Sequence, residues 1–182
     1  MQKSKGFVSA VVMVLTLAMV ACASTRTQKS AGEQVDDSVT TGRVKAALIA
    51  DPVTKAHQID VETFKGTVQL NGFVDTSASK ERASEVAKST KGVTAVRNNL
   101  TVKTTERSGE AVVDDSAITA KVKTALAGDP RTKAHQINIE TREGVVQLSG
   151  FVDNSEAKST AEDLARAVDN VKAVDNELDV KK

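Results

Sequence analysis

Residues 54–74 read TKAHQIDVETFKGTVQLNGFV, and residues 132–152 read TKAHQINIETREGVVQLSGFV. Within each stretch apolar and polar residues alternate with period two. Ile59, Val61 and Thr63 alternate with Asp60 and Glu62, and Val68 and Leu70 alternate with Thr67, Gln69 and Asn71. That period marks half-buried strands. Lys65-Gly66, and Glu143-Gly144 in the second stretch, separate the strands by two residues, as in a tight hairpin whose glycine accepts positive φ. Gly72 and Gly150 fall near the end of the second strand, where backbone geometry explains them and where Phe73 or Phe151 is expected to turn inward.

Working outward, the two stretches are the centre of a duplication. Every match lies 78 positions apart with no gap, and aligning 36–104 on 114–182 gives 37 identities in 69 positions. Asp51-Pro52 recurs as Asp129-Pro130, and His57 as His135. Ungapped register means two copies of one fold. Before each hairpin, Asp36-Asp37-Ser38 or Asp114-Asp115-Ser116 reads as a helix start, with Ser as cap and acids at the positive end of the helix dipole. Ile118, Val122, Ala125 and Leu126 then make one helical face, which Val44, Ala47 and Leu48 repeat. After each hairpin a second helical pattern follows (Ala83, Val86, Ala87; Ala161, Leu164, Ala165, Val168), then a last strand (Val96, Asn98, Leu100, Val102; Val174, Asn176, Leu178, Val180). The order is α-β-β-α-β, twice. The expected class is α+β: two tandem units, each a three-stranded mixed sheet with two helices on one face. The other face, bearing Asp60, Glu62, Gln69 and their copies, is polar enough to meet water or a partner. Units of this size are marginal alone, so docking or tight packing of each is expected.

The N-terminus is an address. Lys3 and Lys5 precede an uncharged run from Phe7 to Ala21, too short for a spanning helix of about 20 residues and fitting a secretory signal peptide over 1–21. Met19-Val20-Ala21-Cys22 is similar to a bacterial lipobox, with Met where Leu is usual, and Cys22 is the only cysteine. The resemblance implies lipidation of Cys22, and Ala23 after it implies sorting to the outer membrane. Residues 22–35 read as a flexible tether, 36–103 and 114–182 as the two domains, and 104–113 as a linker.

Composition excludes several activities. Four Phe with no Trp or Tyr argue against a stacking platform for single-stranded nucleic acid. One Cys leaves no internal disulfide and no Cys-based zinc site. Net charge is +1 for the whole chain, so no strong global pull on nucleic acid is expected. His57 and His135 sit between Ala and Gln and read as structural or surface residues. No phosphate loop, nucleophile setting or paired-His motif is present. No catalytic residue, metal site or cofactor is expected.

The pattern Ile-x-Val-x-x-x-x-Gly-x-Val-x-Leu-x-Gly-x-Val over 59–74, then Ala-x-x-x-Ala over 83–87, then Gly-Val-x-x-Val-x-Asn-x-Leu over 92–100, resembles a BON domain. Residues 137–152, 161–165 and 171–178 carry it again, with Asn170 where Gly92 stands. A signal sequence followed by two such domains resembles the osmotically induced periplasmic proteins of that family, and a lipobox brings it closer to the family's outer-membrane lipoproteins. The resemblance implies a non-enzymatic role in envelope integrity under osmotic stress and binding of anionic phospholipid, at the periplasmic side of the outer membrane. A soluble periplasmic, chaperone-like or protein-interaction module with envelope protein clients is the alternative. Carried over residue by residue, lipid contact falls on the first helix of the second domain and the following turn: Lys121, Lys123, Arg131 and Lys133. The first repeat carries net +2 and the second net −3, so this expectation depends on a local basic cluster, not on domain charge.

Overall fold

A computed structural model describes residues 31–54, 59–103 and 115–182. The first repeat runs α1 (Ala31–Ala50), β1 (Ile59–Phe64), β2 (Thr67–Val74), α2 (Ser77–Ser89), β3 (Ala95–Asn98) and β4 (Thr101–Val102). The second runs α3 (Asp115–Ala127), a 3-10 turn (Ala134–Gln136), β5 (Ile137–Arg142), β6 (Val145–Val152), α4 (Ser155–Arg166) and β7 (Ala173–Val180). β1 pairs antiparallel with β2, and β3 and β4 continue one parallel path along β2. β5, β6 and β7 repeat this arrangement. Each repeat is the mixed sheet expected from period-two patterning.

The apolar face of each sheet is closed by its two helices. Val44 and Leu48 of α1, with Ala83, Val86 and Ala87 of α2, pack on Val61, Val68, Leu70 and Leu100. Ile118, Val122 and Leu126 of α3, with Ala157, Ala161 and Ala165 of α4, pack on Ile139, Val146, Leu148 and Leu178. The small alanines let α2 and α4 lie close to their sheets. Caps match the sequence: Thr76 accepts from Ser79 N–H, and Asn154 accepts from Ala157 N–H, each satisfying one orphan donor of the first turn. Asn170, at φ 71°, takes the left-handed turn conformation that Gly92 takes in the first repeat.

Three local expectations need correction. Residues 31–35, read as part of the tether, belong to α1. Asp36-Asp37-Ser38 therefore lies inside that helix and does not start it, whereas α3 does start within Asp114-Asp115-Ser116, at Asp115, so that Ser116 is inside the helix and not its cap. The acids have another task. Asp37, 5% exposed, accepts from the N–H groups of both hairpin residues, Lys65 at 2.8 Å and Gly66 at 2.9 Å. Asp115 does the same for Glu143 and Gly144. Both central residues of each turn have positive φ (Lys65 49°, Gly66 73°; Glu143 53°, Gly144 81°), the geometry that follows strand twist. It points two adjacent N–H groups the same way, and a carboxylate on the first helix receives them.

The third correction concerns Phe73 and Phe151. Side chains alternate along β2 and β6, so with Leu70 and Val74 in the core, Phe73 lies on the opposite face. Phe151 likewise turns away from its own core and stacks on Phe64 of the other repeat, with ring centroids 5.2 Å apart.

Candidate functional site

The polar sheet faces meet each other. Gln69 is fully buried and Gln147 is 1% exposed, although both stand on the faces the sequence offers to water or a partner. Gln147 Oε1 accepts from Gly72 N–H at 2.5 Å, and its Nε2 donates to Asn99 O at 2.9 Å. Seventy-eight positions away the same bonds recur: Gln69 Oε1 accepts from Gly150 N–H at 3.0 Å, and its Nε2 donates to Glu177 O and to Asp179 Oδ2. The partner of each polar face is the other repeat, related by a pseudo-two-fold. Residue 60 and its copy 138 lie on that axis, where Asn138 Nδ2 donates to Asp60 Oδ2 at 2.7 Å. The architecture is four layers, helices–sheet–sheet–helices.

The glycines serve this seam. Gly72 (φ 108°) and Gly150 (φ 121°) hold a backbone conformation open to few other residues, and their N–H groups are the ones received across the interface. A Cβ on Gly150 would collide with the carbonyl oxygen of Gln136.

Charges rim the seam. Arg97 pairs with Asp179 at 3.0 Å. Burial and the adjacent Asp60 carboxylate push the Glu140 carboxyl above its usual range, against the pull of Lys123. On one side the seam opens into a cleft of about 570 Å³ lined by Glu62, Lys133, His135, Asp153 and Lys181, with the Phe64–Phe151 stack in its wall. Lys133 and Lys181 both bind Asp153, at 2.5 and 2.7 Å, and hold its carboxyl down at about 2. The cleft's cations are thus committed to an acid within it. His135 is exposed in the 3-10 turn, and His57 falls outside the described residues. Among the described residues no group of three or more His, Cys, Asp or Glu is placed to hold a metal ion, and no helix is long and apolar enough to cross a membrane. Cys22, the signal segment and the 104–113 linker also fall outside the described residues.

The four basic residues selected from the sequence do not form one patch. Lys121 and Lys123 are exposed but sit on opposite flanks of the buried face of α3, roughly 160° apart at about 100° per residue. Arg131 is held by Asp129 through Nε at 2.9 Å and Nη2 at 2.5 Å, and Lys133 by Asp153. Lys123 feels Glu140. Lys121 alone of the four has no acid against it among the described residues. On α1, Arg43 and Lys45 are exposed at the positions equivalent to Lys121 and Lys123 and have no ion-pair partner among the described residues.

Sequence reading missed Gln69, Gln147, Asp37 and Asp115 as fixing residues. The available signal was identity of buried-register polar residues between the two copies, which solvent exposure does not require.

An αββαβ unit, repeated and closed on itself through a glutamine–glycine seam, defines the class: the chain belongs to the BON-domain family, whose profile matches residues 36–104 and 114–182. Among curated proteins it is similar to "Osmotically-inducible protein Y" of Escherichia coli K12, 41% identical over 151 residues, 82% of this chain and 75% of that one. It is 33% identical to "Outer membrane lipoprotein DolP" of Haemophilus influenzae over 147 residues (80% and 75% of the two chains). It is 34% identical to a "21 kDa hemolysin" of Actinobacillus pleuropneumoniae over 148 residues (80% and 75%).

Proposed function

We propose that this protein is a non-enzymatic envelope lipoprotein, anchored through Cys22 at the periplasmic side of the outer membrane, that binds anionic phospholipid and supports envelope integrity under osmotic stress. The observation that carries the lipid reading is a set of exposed cations on the first helices, Arg43 and Lys45 on α1 and Lys121 on α3, with no acid paired to them among the described residues. A Lys or Arg near an anionic leaflet contributes about 1 kcal/mol, so a few unpaired cations give weak, salt-sensitive binding, which an acyl anchor raises by holding the domains close to the surface. The names of the relatives, one a lipoprotein of the outer membrane and one osmotically inducible, support the location and the stress role. The sole cysteine at the end of an uncharged segment supports the anchor.

The test is co-sedimentation of residues 22–182 carrying Cys22→Ser, so that no acyl chain contributes. The vesicles are phosphatidylcholine alone, or phosphatidylethanolamine with three parts in ten phosphatidylglycerol, at low and high salt. Pelleting with the anionic vesicles only, reversed by salt, is expected. Equal behaviour with both vesicles would refute headgroup recognition. Intact-mass analysis of the protein from cell envelopes checks acylation at Cys22, and Cys22→Ser should release the protein from the membrane fraction.

A further inference from the structure

The four-layer fold forces a choice on that reading. The helical layers lie on opposite sides of the paired sheets, so one flat bilayer cannot lie against both α1 and α3. We infer that the outer face of α1, in the first repeat, is the surface that meets an anionic bilayer; the inference rests on the lipid-binding reading above and names its site.

Among the described residues five large apolar side chains are exposed, and four of them follow one line: Val35 (63%), Val39, Ile49 (74%) and, in the turn just after the helix, Val53. With Gly42 and Ala46 between them the helical members recur at i, i+4, i+7, i+11 and i+14, a single stripe opposite the face that carries Val44 and Leu48, and Val53 follows it beyond the helix end. Apart from the adjoining residues and backbone of its own helix, nothing among the described residues lies within 4 Å of where a Cβ on Gly42 would stand. The equivalent positions of the second repeat from Val39 onward are Ala117, Ala120, Thr124, Ala127 and Arg131, so the duplicated helix lacks the stripe. Two copies of one helix thus bury the same inner face and differ in what they show outside.

The charges name the occupant. Arg43 and Lys45 lie roughly 80° to either side of the stripe, exposed and without an ion-pair partner among the described residues, with Glu33 and Asp36 the exposed acids near its N-terminal end. Apolar residues flanked by cations suit a helix lying in the headgroup region, its stems along the lipid and its charges at phosphate level. A second copy packed antiparallel on the same stripe would set Arg43 and Lys45, at its midpoint, against their own counterparts, like charge facing like charge. Chain connectivity agrees: eight residues lie between Cys22 and Ala31, a reach of at most about 30 Å, so an anchor at Cys22 holds the start of α1 within that distance of the membrane.

The experiment uses residues 22–182 with Cys22→Ser in four forms: otherwise unchanged, Val39→Ser/Ile49→Ser, Arg43→Glu/Lys45→Glu, and Lys121→Glu/Lys123→Glu. Circular dichroism establishes that each is folded. Partition onto vesicles with three parts in ten phosphatidylglycerol should fall about tenfold for each α1 variant and less than twofold for the α3 variant. Retention of full binding by Val39→Ser/Ile49→Ser, or equal losses from α1 and α3, would overturn this site while leaving the lipid reading in place. Absence of partition by the unchanged chain would overturn both. Sedimentation equilibrium gives the remaining outcome: a dimer that Val39→Ser/Ile49→Ser makes monomeric would assign the stripe to a second copy and refute the bilayer.

Discussion

Replacing Gln147 by alanine tests whether the repeats form one cooperative body. The side chain is 1% exposed and satisfies two backbone groups of the other repeat, Gly72 N–H and Asn99 C=O. Removing it leaves a buried N–H without an acceptor, which costs about 1–3 kcal/mol, and a partly buried carbonyl without its donor, about 1 kcal/mol more. The expected destabilisation is about 2–4 kcal/mol, a large share of the 5–15 kcal/mol typical of a domain and about 10 °C in Tm for a chain of this size. The chain has no Trp or Tyr, so urea unfolding is followed by far-ultraviolet circular dichroism. Gln69→Ala, at the reciprocal site, should behave alike. The double variant should lose less than the sum, because either substitution loosens the same seam. A change below about 0.5 kcal/mol in Gln147→Ala, the size seen at exposed positions, would refute the claim that this seam joins the repeats. Strict additivity would refute its being shared.

Asp37→Ala should cost about 2–3 kcal/mol, since both hairpin N–H groups lose a charged acceptor; Asp37→Asn, which keeps one oxygen acceptor, should cost less in the same urea titration. Glu140→Gln should stabilise the protein at neutral pH. The folded Glu140 carboxyl is raised, so its ionised form opposes folding above that value, and the gain should vanish below about pH 4.3, where the unfolded group is also protonated. Asp153 has the opposite sign: its folded value, about 2, lies below its ordinary one, so its contribution is full above about pH 4 and fades as pH falls toward 2. Asp153→Asn should flatten thermal stability against pH in that window, and an unchanged slope would show that Lys133 and Lys181 do not act through it.

Periodicity and repetition made most of each repeat legible. The hairpins needed only alternation and a glycine, and the inner helix faces needed only Val44, Leu48, Ile118, Val122 and Leu126 at helical spacing. The basic site was less legible, because a list of lysines and arginines does not say which carry counter-ions. Arg131 and Lys133 are held by Asp129 and Asp153, and Lys121 and Lys123, two apart in sequence, are not neighbours around a helix. Acids favour a helix start, and local sequence therefore places Asp37 there, but its partners are 28 and 29 residues away.

The sequence by itself determined the duplication, the α-β-β-α-β order, the two apolar cores and the family, because these depend on local period and on identity at a fixed offset. The tertiary structure decided what the polar sheet faces are for. Gln69 and Gln147 satisfy backbone groups in the other repeat, a long-range hydrogen-bond account that no local pattern records. It also decided that two helices alike within face outward from opposite layers with different surfaces, since the exposure of Val39 and Ile49 depends on what packs over them, and among the described residues both stay exposed.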